Sequence, residues 1–474
     1  MVGLISVLYP MTYSPLHPQR LLTFIGAIAV AIFLSSCGKS ESENGAIDAD
    51  TLAEQRETFK ANNPEGRFRP VRGGTNDKDL ADEERERREQ IKLIENIGYL
   101  DGKNPAPNDS GVTIHASDVA HQGLNLYTSG HGPIAILMDM EGDELHVWKC
   151  DFDTAMRDFP EAKEGTAEIN RPEVDREFWR RAYLYPNGDL LAIFEGSAII
   201  KLDKDSNLIW AVPNHAHHDL QVAEDGTIYV LGRKAAFMPE LESDLLNGRP
   251  ILEDFVLVLD SDGKELRRVS ILKALQKSPF ASLVDDALAT PHGGDIFHTN
   301  TLEVLDGRHA DKNPAFKKGS ILLSLLWINT IAVLDLEKEE IVWTLEGSWI
   351  RQHQPTLVES GNLMLFDNLG GSEETGLSRV LEIDPETGRT VWSFEGYPGN
   401  ELYSEECGSL QRFGNDNTLI TETDNGRALE VTADKKIVWE FVSPHRAGEN
   451  DQLIASLFEV VRLPPDFPVD WIRD

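Results

Sequence analysis

Short runs in which apolar and polar residues alternate follow one another along most of the chain, separated by acidic or glycine-containing turns. The stretch LEIDPETGRTVWSFEG, residues 381–396, shows this pattern: an apolar run ends at Asp384, a turn follows, and a second run contains Trp392. Alternation with a period of two on both sides of a tight turn is typical of a β-hairpin. We therefore predict two antiparallel strands here.

Related hairpins recur along the chain, as LMDMEGDELHVWKCDF, KLDKDSNLIWAV, LVLDSDGKELRRVSI, VLDLEKEEIVWTLEG and LEVTADKKIVWEFVSP. Most of them follow another strand–turn–strand segment, so each repeat contains four strands in about 40 to 55 residues, which is typical of a β-propeller blade. Their tryptophans are interpreted as core residues between blades. The repeats run over residues 131–152, 179–212, 217–271, 298–347, 352–396 and 404–444. The sequence predicts an all-β, six-bladed β-propeller, with five or seven blades as alternatives.

The first repeat is short of strands, whereas LIASLFEVVRL, residues 453–463, is a spare strand near the C-terminal end. A ring of sheets is closed without exposed edges when such a strand completes the first blade. We expect this closure in a propeller that spans residues 110–474.

The N-terminal part predicts export. Arg20 precedes an apolar run, residues 21–34, which has the length of a signal-peptide core and leads to LSSC with Cys37. This segment resembles the bacterial lipobox, which implies lipidation of Cys37; an uncleaved membrane anchor is the alternative. We expect a lipid-anchored protein in the periplasm or at the cell surface. The predicted segments before the propeller are a signal peptide over 1–37, an acidic linker over 38–78 and an amphipathic helix over 79–100.

The formal net charge of −35 argues against binding to DNA or RNA, which requires clustered lysine and arginine. Cys150 and Cys407 remain after the predicted lipidation, and they can form a disulfide in an oxidising compartment.

The candidate chemistry lies about eight residues before the first turn of each repeat, where the innermost strand of a blade begins near the central channel. Three consecutive repeats have a histidine there, His218, His298 and His353, and the flanking repeats have Arg180 and Cys407. A single histidine would most simply be a buried polar residue, but three that converge indicate a pocket. Such histidines can bind a metal, act as nucleophile and proton carrier, or bind an anion.

At these residues the sequence resembles the bacterial arylsulfotransferase family. The resemblance covers roughly residues 120–460 and rests on GLNLYTSGHGPIAILMDMEGDELHVW, HHD, HTN, QHQP and LFDN. It implies a six-bladed periplasmic propeller that transfers a sulfuryl group from a phenol sulfate to another phenol through a sulfohistidine. The implied partners are a small aromatic sulfate ester and a phenol, and no cofactor is expected.

The resemblance also implies roles for individual residues. His353 of QHQP would be the nucleophile. His298 and Asn300 of HTN would hold the sulfuryl oxygens or protonate the leaving phenolate, and His218 would complete the pocket, with His217 as the competing choice.

One position departs from the family. The family has an arginine on the inner strand of blade four, and the matching segment here, ILLSLLWINTIAVLD, has Leu326 followed by Trp327. Either Arg351 or Arg180 supplies the missing positive charge, or the sulfuryl donor differs from that of the family, or the protein no longer catalyses sulfuryl transfer.

Three alternatives were weighed. The repeat also resembles that of quinone-dependent dehydrogenases, which carry an adjacent cysteine pair that this chain lacks. A metal-dependent hydrolase that uses His218, His298 and His353 is the enzymatic alternative, although no metal ligand is assigned. A lipid-anchored propeller that only binds a partner is the non-enzymatic alternative.

Overall fold

The structure is a computed structural model that describes residues 101–159, 177–238, 241, 248–289, 292–372, 375–448 and 450–472. All described residues belong to one compact unit. The predicted signal peptide, Cys37, the linker and the amphipathic helix lie outside the described residues. In the part that is described, no helix is both long and apolar enough to cross a membrane.

Strands make up most of the described secondary structure. The first half contains β1 (Gly102–Pro105), β2 (Gly111–His115), β3 (Asn125–Ser129), β4 (Ile134–Met138), β5 (Glu144–Lys149), β6 (Trp179–Leu184), β7 (Leu190–Phe194), β8 (Ala198–Leu202), β9 (Leu208–Val212), β10 (Ala216–Val222), β11 (Ile228–Ala236), β12 (Ile251–Leu259), β13 (Glu265–Ser270), β14 (Thr299–Val304) and β15 (Ile321–Leu325). The second half contains β16 (Thr330–Asp335), β17 (Glu340–Glu346), β18 (His353–Leu357), β19 (Leu363–Asp367), β20 (Arg379–Ile383), β21 (Thr390–Phe394), β22 (Gly396–Tyr397), β23 (Asn400–Glu401), β24 (Ser409–Arg412), β25 (Thr418–Glu422), β26 (Arg427–Val431), β27 (Ile437–Val442), β28 (Arg446–Ala447), β29 (Leu453–Ala455) and β30 (Leu457–Arg462).

Helices are short. The α-helices are α1 (Phe152–Ala155), α2 (Ile271–Gln276) and α3 (Ser282–Ala289), and the 3₁₀ turns are His292–Gly294, Pro314–Phe316, Leu326–Ile328 and Asp470–Ile472.

The described strands form six sheets of four or five antiparallel strands, besides two small sheets. Four of the six follow the chain in simple meanders: β6 to β9, β10 to β13, β14 to β17 and β18 to β21. The innermost strands of neighbouring sheets contact one another in sequence, from β30 and β6 through β10, β14 and β18 to β24, and β24 contacts β30. Because β30 pairs with β3, these contacts return to the first sheet. The predicted all-β propeller is therefore confirmed.

The two ends of the described chain complete two different sheets. β30 pairs with β3 and becomes the first strand of that sheet, as the sequence predicts. β2, which the sequence analysis did not identify, pairs with β27 and adds a fifth strand to the sheet of β24 to β27.

Burial follows the position of a strand in its sheet. The second strands β7, β15 and β19 are buried at every position, which explains their continuous apolar sequences LLAIF, ILLSL and LMLFD. In the outermost strands, such as β5 and β21, most side chains are exposed or half-buried.

The repeated tryptophans tie neighbouring sheets together. Trp148 and Trp439 are fully buried, and the indole N–H of Trp148 donates to the carbonyl of Gly188 in the turn between β6 and β7 at 3.0 Å. Three more indoles donate in the same way to a turn of the next sheet: Trp210 to Ser261, Trp392 to Ala433, and Trp439 to Met140. They are structural residues, as the sequence analysis interpreted them.

Candidate active site

The candidate residues lie at one end of the ring. The innermost strands begin there, and because the sheets are antiparallel the second strands end there. Ala216 at the start of β10 lies opposite Gly232, and His353 at the start of β18 lies opposite Phe366 near the end of β19. The inner strands β10, β14 and β18 each have a register shift near their start, which turns side chains out of the regular pleat.

The backbone at these strand starts is unusual. His218 and His298 have φ angles of 54° and 50°, and Gln354 and Cys407 have 48° and 57°. The left-handed region is costly for residues with a Cβ atom, and such residues cluster at functional sites.

The His217 and His218 rings meet at right angles, with their centroids 4.9 Å apart. Their Nδ1 atoms are 2.7 Å apart, so one ring donates a hydrogen bond to the other. The carboxylate of Glu195 accepts from the backbone N–H of His218 at 2.9 Å and lies 3.4 Å from the Nδ1 of that ring. Sequence reasoning treated the two histidines as competing choices, whereas the structure places them side by side.

His298 extends this cluster. Its ring lies edge-on to that of His218, with the centroids 4.9 Å apart, so two of the three predicted catalytic histidines are in contact. The Nδ1 of His298 binds the carboxylate of Asp295. Trp327 covers another side, with its ring centroid 5.7 Å from that of His298, and stacks on His292 at 3.7 Å.

Burial controls the charge of this cluster. The pKa values of His217 and His218 lie well below the ordinary value, chiefly because burial disfavours the cation, with further lowering by Arg233 for His217 and by His298 for His218. Burial and the neighbouring Asp295 raise the pKa of Asp254 to about 7. His217 and His218 are therefore neutral at neutral pH, which excludes them as cationic anion-binding groups.

His353 is held by Asn368, which directly follows β19. The Nδ1 of His353 lies 2.8 Å from the Oδ1 of Asn368 and 3.0 Å from the carbonyl oxygen of Arg351. The amide nitrogen of Asn368 donates to the carbonyls of Ser404 and Cys407 at 2.8 and 2.7 Å, which fixes the orientation of the amide. Because both groups facing Nδ1 can only accept, the proton of neutral His353 is on Nδ1 and the lone pair is on Nε2.

Polar contacts connect the chain segment around His353 with the segments that carry the other histidines. Arg181 donates to the Oε1 of Gln354 at 2.8 Å and to the backbone carbonyl of His218 at 3.4 Å. The amide of Asn300 donates to the carbonyl of Gln352 at 2.9 Å. The segments of β10, β14 and β18 that carry the predicted site are therefore joined by hydrogen bonds.

The predicted arginines are engaged with protein groups. Arg351 binds Glu405 at 3.1 Å and lies over the ring of Trp327, 5.7 Å from its centroid. Arg180 is buried over the ring of Phe458, 5.4 Å from its centroid.

Cys150 and Cys407 are both buried thiols. They lie in two different hydrophobic clusters, Cys150 with Trp148 and Cys407 with Phe178 and Phe458, so no disulfide joins them.

The arylsulfotransferase (ASST) family model matches residues 181–444, which is more than half of the 474-residue chain. This chain belongs to the arylsulfotransferase family. The match includes every predicted histidine of the site and the strands that carry them.

Other comparisons give weaker similarities. A streptogramin B lyase structure is 12% identical with a TM-score of 0.40, covering 77% of this chain and 96% of that one. A protein of unknown function from Bacteroides caccae is 10% identical with a TM-score of 0.40, covering 68% and 94%. BamB from Moraxella catarrhalis is 12% identical with a TM-score of 0.29, covering 73% and 78%. At these TM-scores the similarities carry no argument about function. No curated protein matches the chain.

The position of Leu326 corrects one expectation about this arylsulfotransferase family member. The sequence analysis placed the family arginine on an inner strand, but Leu326 begins the 3₁₀ turn that follows β15, the second strand of its sheet. Leu326 is buried, and the next residue, Trp327, contacts His298. The side chain that replaces the arginine is therefore at the same end of the sheet as the histidines.

Sequence reasoning missed the residues that come from the second strands. Glu195 follows β7, Arg233 lies in β11 and Asn368 follows β19. The site residues were predicted only at the starts of the inner strands. The antiparallel second strand of each sheet ends beside that start, so its last residues also reach the site. The spacing from the end of each second strand, and the LFDN segment for Asn368, were the signals that could have identified them.

Proposed function

We propose that this protein transfers a sulfuryl group from an aryl sulfate ester to a phenol through a sulfohistidine at His353. The observation that carries the proposal is the pair of carbonyl acceptors at the Nδ1 of His353, from Asn368 and Arg351. They hold the imidazole in the tautomer whose Nε2 is a nucleophile.

In the first step the Nε2 lone pair of His353 attacks sulfur. The N–S bond forms while the bond between sulfur and the aryl oxygen breaks, and the phenolate leaves with the electron pair. The imidazole ring then carries a positive charge, which the two acceptors at Nδ1–H stabilise. His298, as an imidazolium supported by Asp295, gives the phenolate its proton.

In the second step a phenol gives its proton to the now neutral His298. Its oxygen forms a new S–O bond as the N–S bond breaks, which restores His353. Asn300 supports the sulfuryl oxygens, because its amide nitrogen carries two hydrogens and Gln352 accepts one of them.

The proposal includes location. We propose that Cys37 is lipidated and becomes the N-terminus after removal of residues 1–36, and that the acidic linker over 38–78 tethers the propeller to a membrane. Labelling with a radioactive fatty acid should mark the wild type and not Cys37→Ser.

The test of transfer uses nitrophenyl sulfate and phenol. We expect release of nitrophenolate and formation of phenyl sulfate, and without the acceptor a sulfuryl adduct on the peptide that contains His353. His353→Ala should reduce the rate at least about a thousandfold. His121→Ala, which removes an imidazole stacked on Phe413 outside the cluster, is the matched control. A folded wild type without transfer would leave the binding propeller as the function, and an unchanged rate in His353→Ala would refute the nucleophile.

A further inference from the structure

The group of Glu195, His217 and His218 has donor atoms arranged as in a metal site. One carboxylate oxygen and one nitrogen from each ring lie within 4.8 Å of one another, and His217 and His218 are buried. The Oε1 of Glu195 is 3.4 Å from the Nδ1 of His218, whereas the Nδ1 atoms of the two histidines are 2.7 Å apart and share a hydrogen bond that a bound ion would replace as the rings separate slightly. Ligands bound to zinc at about 2.1 Å in tetrahedral geometry are separated by about 3.4 Å.

A second observation concerns the carboxylate of Glu195, whose Oε1 atom lacks a hydrogen bond among the described residues and faces a cation only at a distance. Its Oε1 atom is buried, yet within the described part of the chain it accepts no hydrogen bond. The nearest cationic group, the Arg233 guanidinium, is 3.6 Å away. A buried carboxylate oxygen left in this state costs free energy that a bound cation would recover.

The surroundings also suit a cation. The Nε2 of His217 lies 3.7 Å from the Oδ1 of Asp254, and Asp295 acts electrostatically on both His217 and Asp254. These two carboxylates oppose the charge of Arg233. A carboxylate behind the distal nitrogen of a ligating histidine is the usual arrangement that orients the ring toward a metal.

We propose that Glu195, His217 and His218 bind one divalent transition-metal ion of the zinc class. Two imidazoles and one carboxylate favour zinc and its neighbours over calcium or magnesium, which prefer oxygen ligands. This site reverses the expectation of no metal from sequence, and it differs from the alternative of His218, His298 and His353. With three protein ligands, one position of the ion stays available to a substrate oxygen.

The role of the ion rests on the proposed function, whereas the site does not. Leu326 stands where the family has an arginine, and Arg351, Arg181 and Arg233 each lie against a carboxylate. A divalent ion beside His298 would add positive charge near the sulfuryl oxygens.

Metal binding by the full chain tests the site. The purified protein is stripped with a chelator, titrated with Zn²⁺ against a fluorescent competitor, and analysed for bound zinc by mass spectrometry. We expect one zinc per chain and a visible Co²⁺ spectrum typical of nitrogen and oxygen ligands. Losing a carboxylate that only supports a ligand weakens metal binding about 10- to 100-fold. Losing a ligand itself should cost at least as much, so Glu195→Gln and His217→Gln should each weaken zinc binding by at least about tenfold. His131→Gln, which alters a half-buried imidazole stacked on His445, should bind like the wild type.

Two results would overturn the site: wild type that takes up no zinc, or Glu195→Gln and His217→Gln that both bind as tightly as His131→Gln. Circular dichroism of the metal-free variants distinguishes loss of a ligand from loss of the fold. If Glu195→Gln unfolds, the zinc affinity of His217→Gln tests the site instead. Zinc binding without sulfuryl transfer would uphold the site and reject the proposed function. Sulfuryl transfer by a protein that binds no zinc would uphold the proposed function and reject the metal site.

Discussion

Asn368 determines which nitrogen of His353 carries the proton, although the sequence analysis assigned it no role. Its side chain is fully buried, and its two ends bind His353 on one side and two backbone carbonyls on the other. It is a positioning residue, because it acts through the histidine.

Asn368→Ala should lower kcat for sulfuryl transfer about 10- to 100-fold, the usual effect of losing a group that orients a reactive side chain. KM should stay within about twofold, because the buried amide acts through His353 and a purely structural defect would not single out kcat. Initial rates with nitrophenyl sulfate, measured well below the unfolding temperature, check this. Asn362→Ala, at an exposed turn of the same sheet, is the control. An unchanged kcat would show that the Arg351 carbonyl suffices.

A second histidine pair lies where β3 and β27 end. The rings of His131 and His445 stack with centroids 3.6 Å apart, and burial lowers their pKa values to about 3 and about 4. In the unfolded chain both titrate near 6.5, so between about pH 4 and 6.5 the unfolded state binds more protons. The free energy of unfolding should therefore rise with pH in this window and fall on acidification.

Urea unfolding at several pH values checks this slope. The double variant His131→Asn, His445→Asn should flatten it between about pH 4 and 6.5, whatever its absolute stability. A slope equal to that of the wild type would mean that carboxylates alone cause the acid sensitivity.

At the scale of elements, the repeat was readable because each four-stranded sheet has the same order of apolar strands and turns. β30 was predicted because an apolar strand was left over at one end of the chain. β2 was not, because GVTIH is short, half-exposed and separated from its partner β27 by the whole ring. Pairing between distant segments leaves no periodic signal in a single sequence.

The site was predictable in part because the repeat also fixes where the inner strands begin. The starts of β10 and β18 could be located by counting back from a turn, which identified His218 and His353. Glu195 and Asn368 required knowing which strand ends lie beside those starts. Leu326 was assigned to the wrong strand because apolar sequence continues from β15 through the turn into β16.

Arg462, the last residue of β30, should be the most sensitive point of ring closure. It binds Glu430 of β26 with both side chains fully buried, and its Nε donates to Asn125 of β3 at 2.9 Å. Arg462→Met should destabilise the protein by about 3 to 5 kcal/mol, because Glu430 is left as a buried charge. Denaturant unfolding checks this, and the double variant with Glu430→Gln should recover part of the loss. A double variant as unstable as the single one would contradict the charge argument.

At the scale of the whole molecule, the net charge of −35 acts on an anionic substrate. An aryl sulfate approaches against this field, and salt screens the repulsion over a Debye length of about 10 Å at 0.1 M. We expect kcat/KM for the sulfate donor to rise several-fold between low and physiological ionic strength, while KM for a neutral phenol stays constant. A donor kcat/KM that falls with salt would mean that local positive charge outweighs the global field.

The left-handed backbone at His218 and His298 matters to anyone who selects for thermostable mutants. Glycine adopts this conformation without the Cβ clash, a difference of about 1 kcal/mol, so His218→Gly should unfold at higher denaturant concentration than His218→Ala. Among small replacements at the starts of the inner strands, a screen that rewards heat resistance alone would therefore favour glycine over alanine.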